Sequence, residues 1–143
     1  MERTTEGGLD LLKKPAPIRR AMNILKNKGA EVSLFIDPDR RQVEAAQELG
    51  ADSIELHTGD YANTEGGRAR QELERLKKAS TEARAASLNV YAGHGLDYRN
   101  TQAVCRIPEM QELNIGYSIV SRALWVGFEQ AVREMLTLIR KAR

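Results

Sequence analysis

Short apolar segments alternate with longer stretches of helical periodicity four times along this chain. The apolar segments are residues 32–36, 53–57, 88–92 and 112–115, and turn-forming residues bound them. Strands that alternate with helices are joined by right-handed crossovers, which makes their sheet parallel. The order therefore predicts an α/β fold, closed either as a doubly wound sheet or as a (β/α)8 barrel.

Helical periodicity and turn residues predict the connecting helices. The first helix starts at Pro17 and ends at Gly29. In the second, Asp37 is the N-cap and Pro38 the first helical residue, and the helix ends near Gly50. The first helix has an apolar stripe at Ile18, Ala21, Met22 and Leu25. A long charged helix over residues 65–86 and a short one over 100–106 follow, before two closing helices at 119–126 and 129–140.

Two features favour the barrel over the doubly wound sheet. No glycine-rich dinucleotide fingerprint follows the first strand. Glu55 lies on the polar face of the second strand, where burial between two layers would be costly but the mouth of a barrel is solvated. A full barrel has eight such units and about 250 residues, whereas this chain has 143 residues and four units. We therefore expect residues 1–143 to form one domain, a partial TIM barrel of parallel strands.

Charge and cysteine content exclude several classes of protein. With 22 Lys and Arg against 20 Asp and Glu, the net charge of +2 indicates neither nucleic acid nor a membrane as partner. The single cysteine, Cys105, forms no internal disulfide, and no metal-type Cys/His spacing occurs. No signal-peptide core or spanning segment is apparent. These features predict a cytoplasmic protein without a metal site.

The active site of a barrel lies at the carboxyl ends of its strands, so His94 is the first catalytic candidate. Glycines on both sides leave its imidazole unshielded and allow a ligand close to the backbone. Imidazole exchanges protons near neutral pH, which suits proton transfer. A structural hydrogen-bonding role is the alternative.

Two further candidates share the polar face of the second strand. Glu55 can stabilise a cationic intermediate, and a buried salt bridge is the alternative. His57 is on the same face because side chains alternate along a strand. At the end of the strand it serves equally well to cap the turn before Thr58, so its role stays open.

Gly95 and Gly116 follow the third and fourth strands, where bare backbone amides can hold a phosphate, as on the last two loops of many barrels. Glycines also occur there for turn reasons alone. The opening stretch with Thr4, Thr5, Gly7 and Gly8 is either a flap over a ligand or a flexible terminus.

Five motifs occur in order along the whole chain: TTEGGLD (4–10), VSLFID (32–37), IELHTG (54–59), AGHGL (92–96) and ELNIG (112–116). Together they resemble the pyridoxine 5′-phosphate synthase family. The resemblance implies a (β/α)8 barrel with added helices, assembled as an octamer. It also implies an enzyme of vitamin B6 synthesis that condenses two small phosphorylated substrates, 1-deoxy-D-xylulose 5-phosphate and 3-amino-2-oxopropyl phosphate, with no metal or organic cofactor.

The resemblance also implies roles for individual residues. His94 matches the family's proton donor and Glu55 its transition-state stabiliser. Thr4 matches a contact to the deoxyxylulose phosphate and Gly95 a contact to the amino-ketone phosphate. Gly116 and the residue after it match a phosphate-binding pair.

This chain departs from the family at Tyr117, where histidine is usual, and at Tyr91, where asparagine is common. A phosphate contact at Tyr117 would use the phenol hydroxyl or the backbone amide. The match covers only the C-terminal half of the family chain. The other half supplies a proton-accepting histidine, a glutamate and several arginine and asparagine contacts, so we expect a truncated homo-oligomeric enzyme that is inactive alone.

Two alternatives remain open from the sequence. An open four-strand sheet has two unpaired edges and exposed apolar surface, so a noncatalytic half-barrel that self-associates is one of them. A different phosphate-binding barrel enzyme is the other.

Overall fold

A computed structural model describes residues 7–143, so Thr4 and Thr5 lie outside the described residues. Its four strands are β1 (Ser33–Ile36), β2 (Ser53–His57), β3 (Asn89–Gly93) and β4 (Met110–Asn114). They form one parallel sheet in the order β1-β2-β3-β4. A doubly wound sheet reverses its strand order at one point, whereas this sheet progresses in one direction as a barrel wall does. The parallel α/β prediction is confirmed, and the sheet is consistent with half of a barrel.

Seven helices precede, connect or follow the strands within the described part of the chain. They are α1 (Pro15–Lys26), α2 (Arg40–Leu49), α3 (Gly59–Ala62), α4 (Gly66–Ala85), α5 (Thr101–Cys105), α6 (Tyr117–Val126) and α7 (Phe128–Ala142). The single turn α3 is the one helix that the periodicity did not predict. None of the helices in residues 7–143 is both long and apolar enough to cross a bilayer.

The two faces of the sheet differ because side chains alternate along each strand. One face is fully apolar and packs with α2, α4 and α5 into a single core that contains Leu34, Ile36, Ile54, Leu56, Val90 and Ala92. On the other face Phe35, Glu55 and Tyr91 are partly exposed. A parallel sheet is normally covered on both faces, so this second face corresponds to the inner wall of a barrel.

Two predictions about the helices are wrong in detail. Asp39, not Asp37, caps α2, because its carboxylate accepts a hydrogen bond from the Arg41 amide at 2.9 Å. The longer loop leaves the Asp37 carboxylate at the carboxyl edge of the sheet. In α1 Met22 is buried, but Ala21 and Leu25 of the predicted stripe are exposed, because α1 packs against α2 and is not laid across the sheet.

Asp52 connects three segments at the amino edge of the sheet. Its carboxylate accepts hydrogen bonds from the Val32 amide at 2.7 Å and from the Lys26 ammonium at 2.8 Å. Lys26 also donates to the Gly50 carbonyl at 2.6 Å. The bond from Lys26, followed by that from the Val32 amide, lowers the pKa of Asp52.

We expect Asp52→Asn to destabilise the chain at pH 7 and to matter less in acid. A pKa lowered by folding means that the carboxylate stabilises the native state above its unfolded value, near 3.8, and stops doing so as the pH falls through the lower folded value. Urea unfolding of both proteins at pH 7 and pH 3 measures this difference. Glu48→Gln, on an exposed position of α2, is the control, and an equal loss at both pH values would contradict this account.

Candidate active site at the carboxyl edge of the sheet

The polar residues predicted at the strand ends lie together at one edge of the sheet. The register pairs Glu55 with Tyr91, His57 with Gly93, and Gly93 in turn with Asn114. His94 follows directly after β3 and is exposed. Parallel strands end at the same edge, so the register alone places the second, third and fourth strand ends side by side.

Glu55 is held by Asn114 across the end of β3. Its Oε2 accepts a hydrogen bond from Asn114 Nδ2 at 2.8 Å. Gly93 lies between the two, and a Cβ added to it would be 2.0 Å from Glu55 Oε1 and 3.2 Å from Asn114 Cβ. Only glycine therefore allows this approach. Asn114 was not singled out from the sequence, although its place on the polar face of β4 was a signal for it.

The environment of Glu55 favours its neutral form. Burial is the largest cause that raises the pKa of this carboxyl group, and the nearby Glu112 raises it further. The bond from Asn114 and the charge of His94 act in the opposite direction. A carboxyl group with a raised pKa that is hydrogen-bonded to a cleft residue, here Asn114, is typical of acid–base sites.

The chain at His94 has an unusual backbone conformation. His94 has φ +75° and Gly95 has φ +78°, so two successive residues are left-handed. Such a conformation costs a non-glycine residue on the order of 1 kcal/mol or more and persists where the surroundings hold it. Here the buried Thr58 hydroxyl donates to the carbonyl oxygens of His94 at 2.5 Å and Gly93 at 2.8 Å. The turn presents the His94 side chain above the strand ends.

His57 lies beneath His94 and does not cap the turn. Its Nδ1 is 3.1 Å from Asp37 Oδ1, and its side chain is only 12% exposed. The ring contacts Phe35 edge-on at a centroid distance of 5.3 Å and His94 at 5.0 Å. Asp37 also accepts a hydrogen bond from the Gly8 amide at 3.3 Å. The sequence did not predict the pairing of Asp37 with His57, because the sequence pattern assigns Asp37 as the N-cap of the following helix.

A cleft of about 840 Å³ opens beside His94, between the loops after β3 and β4. Its volume is within the range of roughly 300–1,000 Å³ that is common for small-molecule sites. Gly95, Gly116 and Tyr117 line it, and the Tyr117 side chain is 90% exposed. Gly116 is the N-cap of α6, and a Cβ there would meet nothing within 4 Å.

Of the six residues to which the resemblance implies roles, the structure brings five to one edge of the sheet. Glu55 lies against Gly93, the residue before His94, and His94, Gly95, Gly116 and Tyr117 line the cleft. Thr4 lies outside the described residues. Within residues 7–143 no cluster of His, Cys, Asp and Glu has the composition of a metal site.

Comparison with known proteins identifies a family and several relatives that match this chain. The family described as "Pyridoxal phosphate biosynthesis protein PdxJ" matches residues 1–141. Relatives named pyridoxine 5′-phosphate synthase include one from Sulfurihydrogenibium sp., 48% identical over 99% of this chain and 58% of its own length. Another, from Legionella pneumophila strain Paris, is 49% identical with the same coverage. A third, from a Synechococcus species, is 53% identical over 94% of this chain and 56% of its own length.

The chain therefore spans 58% of the length of the first two of these relatives. The match nevertheless extends over almost every residue of the chain itself, including all four strands and the edge at which they end. On this evidence the chain belongs to the PdxJ family of pyridoxal phosphate biosynthesis proteins.

Proposed function

We propose that this chain forms the C-terminal part of a pyridoxine 5′-phosphate synthase. The enzyme would condense 1-deoxy-D-xylulose 5-phosphate with 3-amino-2-oxopropyl phosphate. The observation that carries the proposal is the meeting of His94, Glu55 and a glycine-lined cleft at one sheet edge. The printed names of the relatives support the same activity.

In this proposal His94 is the proton donor. Condensation of an amine with a ketone expels water, and the departing hydroxyl needs a proton. The left-handed turn places the imidazole at the cleft, where it borders the same space as Gly95. An exposed imidazole on a hydrogen-bonded turn can reach a ligand without a rearrangement of the sheet.

Glu55 is the residue that stabilises positive charge. The condensation passes through an iminium group, and a fixed carboxylate nearby lowers its energy. The hydrogen bond from Asn114 fixes the orientation of Glu55 Oε2, while Oε1 lies against Gly93. As the iminium forms, its charge would draw Glu55 towards the ionised state.

The phosphate groups would be held by backbone amides at Gly95 and Gly116. The start of α6 adds the positive end of a helix dipole at this point. Tyr117 would contribute its hydroxyl or its amide, and Thr4 a contact to the deoxyxylulose phosphate. None of these contacts requires a metal or an organic cofactor.

The remaining catalytic groups would come from strands that complete the barrel. Within the described residues β1 and β4 each pair on one side only, and the inner face of the sheet is open. We propose that the active enzyme is a closed barrel, that residues 1–143 fold as one domain of it, and that it works as a cytoplasmic homo-oligomer. The chain alone would then lack essential groups.

We expect the chain alone to make no pyridoxine 5′-phosphate. Coexpression with the segment of the Legionella pneumophila relative that this chain does not cover should restore turnover, measured by chromatography of the product. A normal rate from the chain alone would contradict the need for further groups.

A compact dimer on a sizing column that binds neither substrate would favour a noncatalytic half-barrel. Turnover of another sugar phosphate would favour a different enzyme.

In the complemented enzyme we expect His94→Asn to lower kcat by about 10² to 10⁴, because that is the contribution of a positioned general acid. Asparagine keeps polarity and tolerates the left-handed turn, so the chain should still fold. Glu48→Gln, on the exposed side of α2, should leave kcat unchanged. Unchanged turnover in His94→Asn would contradict the proposed role of His94 as the proton donor.

We expect Glu55→Gln to raise the stability of the chain at pH 7. Because folding raises the pKa of Glu55, its ionised form weakens the native state above the folded pKa, and this cost vanishes below the ordinary value of 4.5. The glutamine oxygen can still accept from Asn114. Urea midpoints at pH 7 and pH 3.5 should show a gain only at the higher pH, and a loss at pH 7 would refute the assigned shift.

A further inference from the structure

His57, which is hydrogen-bonded to Asp37 behind His94, has a buried nitrogen atom that the proposed chemistry leaves unused. His57 Nε2 is fully buried and has no hydrogen-bond partner among residues 7–143. Buried polar atoms in native proteins are nearly always paired, so an unpaired one calls for a partner that is not seen in the resting chain. The atom is therefore an indication of a contact that forms during function.

We propose that Asp37 and His57 are positioning residues that set the tautomer of His94. Asp37 accepts the Nδ1–H of His57, which leaves Nε2 as an acceptor. That acceptor then receives the Nδ1–H of His94 and directs His94 Nε2 into the cleft. The expected effect on catalysis rests on the proposed function, whereas the assignment of the two tautomers is independent of it.

The first link is the contact of 3.1 Å between Asp37 Oδ1 and His57 Nδ1. A carboxylate accepts only, so the proton on this bond belongs to His57 Nδ1. If Nε2 were also protonated, a charged ring would have a buried donor without an acceptor in the described part of the chain. The neutral Nδ1–H tautomer avoids that cost.

The second link is the closeness of the two imidazole rings over Gly59. A Cβ added to Gly59 would lie 2.5 Å from His57 Nε2 and 3.3 Å from His94 Cδ2. Both atoms therefore border the same small space, and the ring centroids are 5.0 Å apart. A half-turn of the His94 ring about its Cβ–Cγ bond exchanges Cδ2 with Nδ1. That rotation turns an N–H donor towards the space that His57 Nε2 borders, where Nε2 has no partner among residues 7–143.

The third link is the orientation that results. With Nδ1 of His94 bound to His57, Nε2 is the atom left for the ligand in the cleft that His94 lines. Thr58 holds the His94 backbone while His57 holds its ring. Glu55 is close enough to His94 to be affected by its charge, and its carboxyl group is held by Asn114. The cleft that His94 borders is also lined by Asp97, Arg99 and Arg122. In the neutral ring His94 Nε2 is an acceptor, so it becomes the proposed donor only after it takes up a proton, while the Nδ1–H stays bound to His57. An imidazole fixed at both backbone and ring loses little freedom when the ligand binds.

The chain has only two histidines, so nitrogen-15 NMR resolves the tautomer of each one directly. At a pH where both rings are neutral, we expect His57 and His94 to show the Nδ1–H pattern in long-range proton–nitrogen spectra. Asp37→Asn should move both rings towards the Nε2–H tautomer. Asp39→Asn is the matched control, because it changes a carboxylate two residues away that caps α2 and should leave both rings unchanged.

Gly59→Ala tests the contact between the rings if Asp37→Asn does not fold. The new methyl group would displace His57 Nε2, whereas in Gly67→Ala it would meet nothing within 4 Å. We expect only the first variant to change the His94 nitrogen shifts. An Nε2–H tautomer at His57 in the unaltered chain, or unchanged His94 shifts in both Asp37→Asn and Gly59→Ala, would overturn the proposal.

The complemented enzyme separates this inference from the proposed function. There Asp37→Asn should lower kcat about tenfold or more with little change in KM, because substrate binding does not involve the pair. Expected tautomers without any turnover would count against the synthase activity alone. Turnover with a kcat that Asp37→Asn leaves unchanged would count against the positioning pair alone.

Discussion

The pairing of β2 with β3 is the interaction on which the site depends. It sets His57 opposite Gly93 and Glu55 opposite Tyr91, so the polar face of one strand meets a glycine at the end of the next. Because Gly93 has no side chain, the Glu55 carboxylate crosses it to reach Asn114 on β4. A slip of one residue in this register would turn every polar side chain of β2 into the apolar core.

The site combines several features that stability alone would not favour. His94 is left-handed, His57 has a buried nitrogen unpaired within residues 7–143, and the pKa of Glu55 is raised by burial. Two of the three have a compensating contact nearby, namely Thr58 for the turn and Asn114 for the carboxyl group. This balance is common at active sites, where geometry for chemistry is kept at some cost in stability.

The open inner face of the sheet is consistent with the finding that the chain covers only part of the length of its relatives. The apolar face of the sheet is complete, with its helices and a continuous core. The polar face has a site, but within residues 7–143 no strand forms the opposite wall that a barrel would provide. A match over 99% of this chain and 58% of the relative from Sulfurihydrogenibium corresponds to one such wall. The chemistry of the proposed enzyme therefore needs the two walls together.

The sequence by itself determined the number and type of the main elements, because the hydrophobic period and the turn residues depend only on positions close together in the chain. It also indicated Glu55 and His94, since strand parity and flanking glycines are local too. Tertiary structure alone decided that Asp37 pairs with His57 and not with the start of α2, that Thr58 holds the turn, and that Asn114 orients Glu55. These contacts join residues 20 to 59 positions apart, and only the register of the folded sheet brings them together.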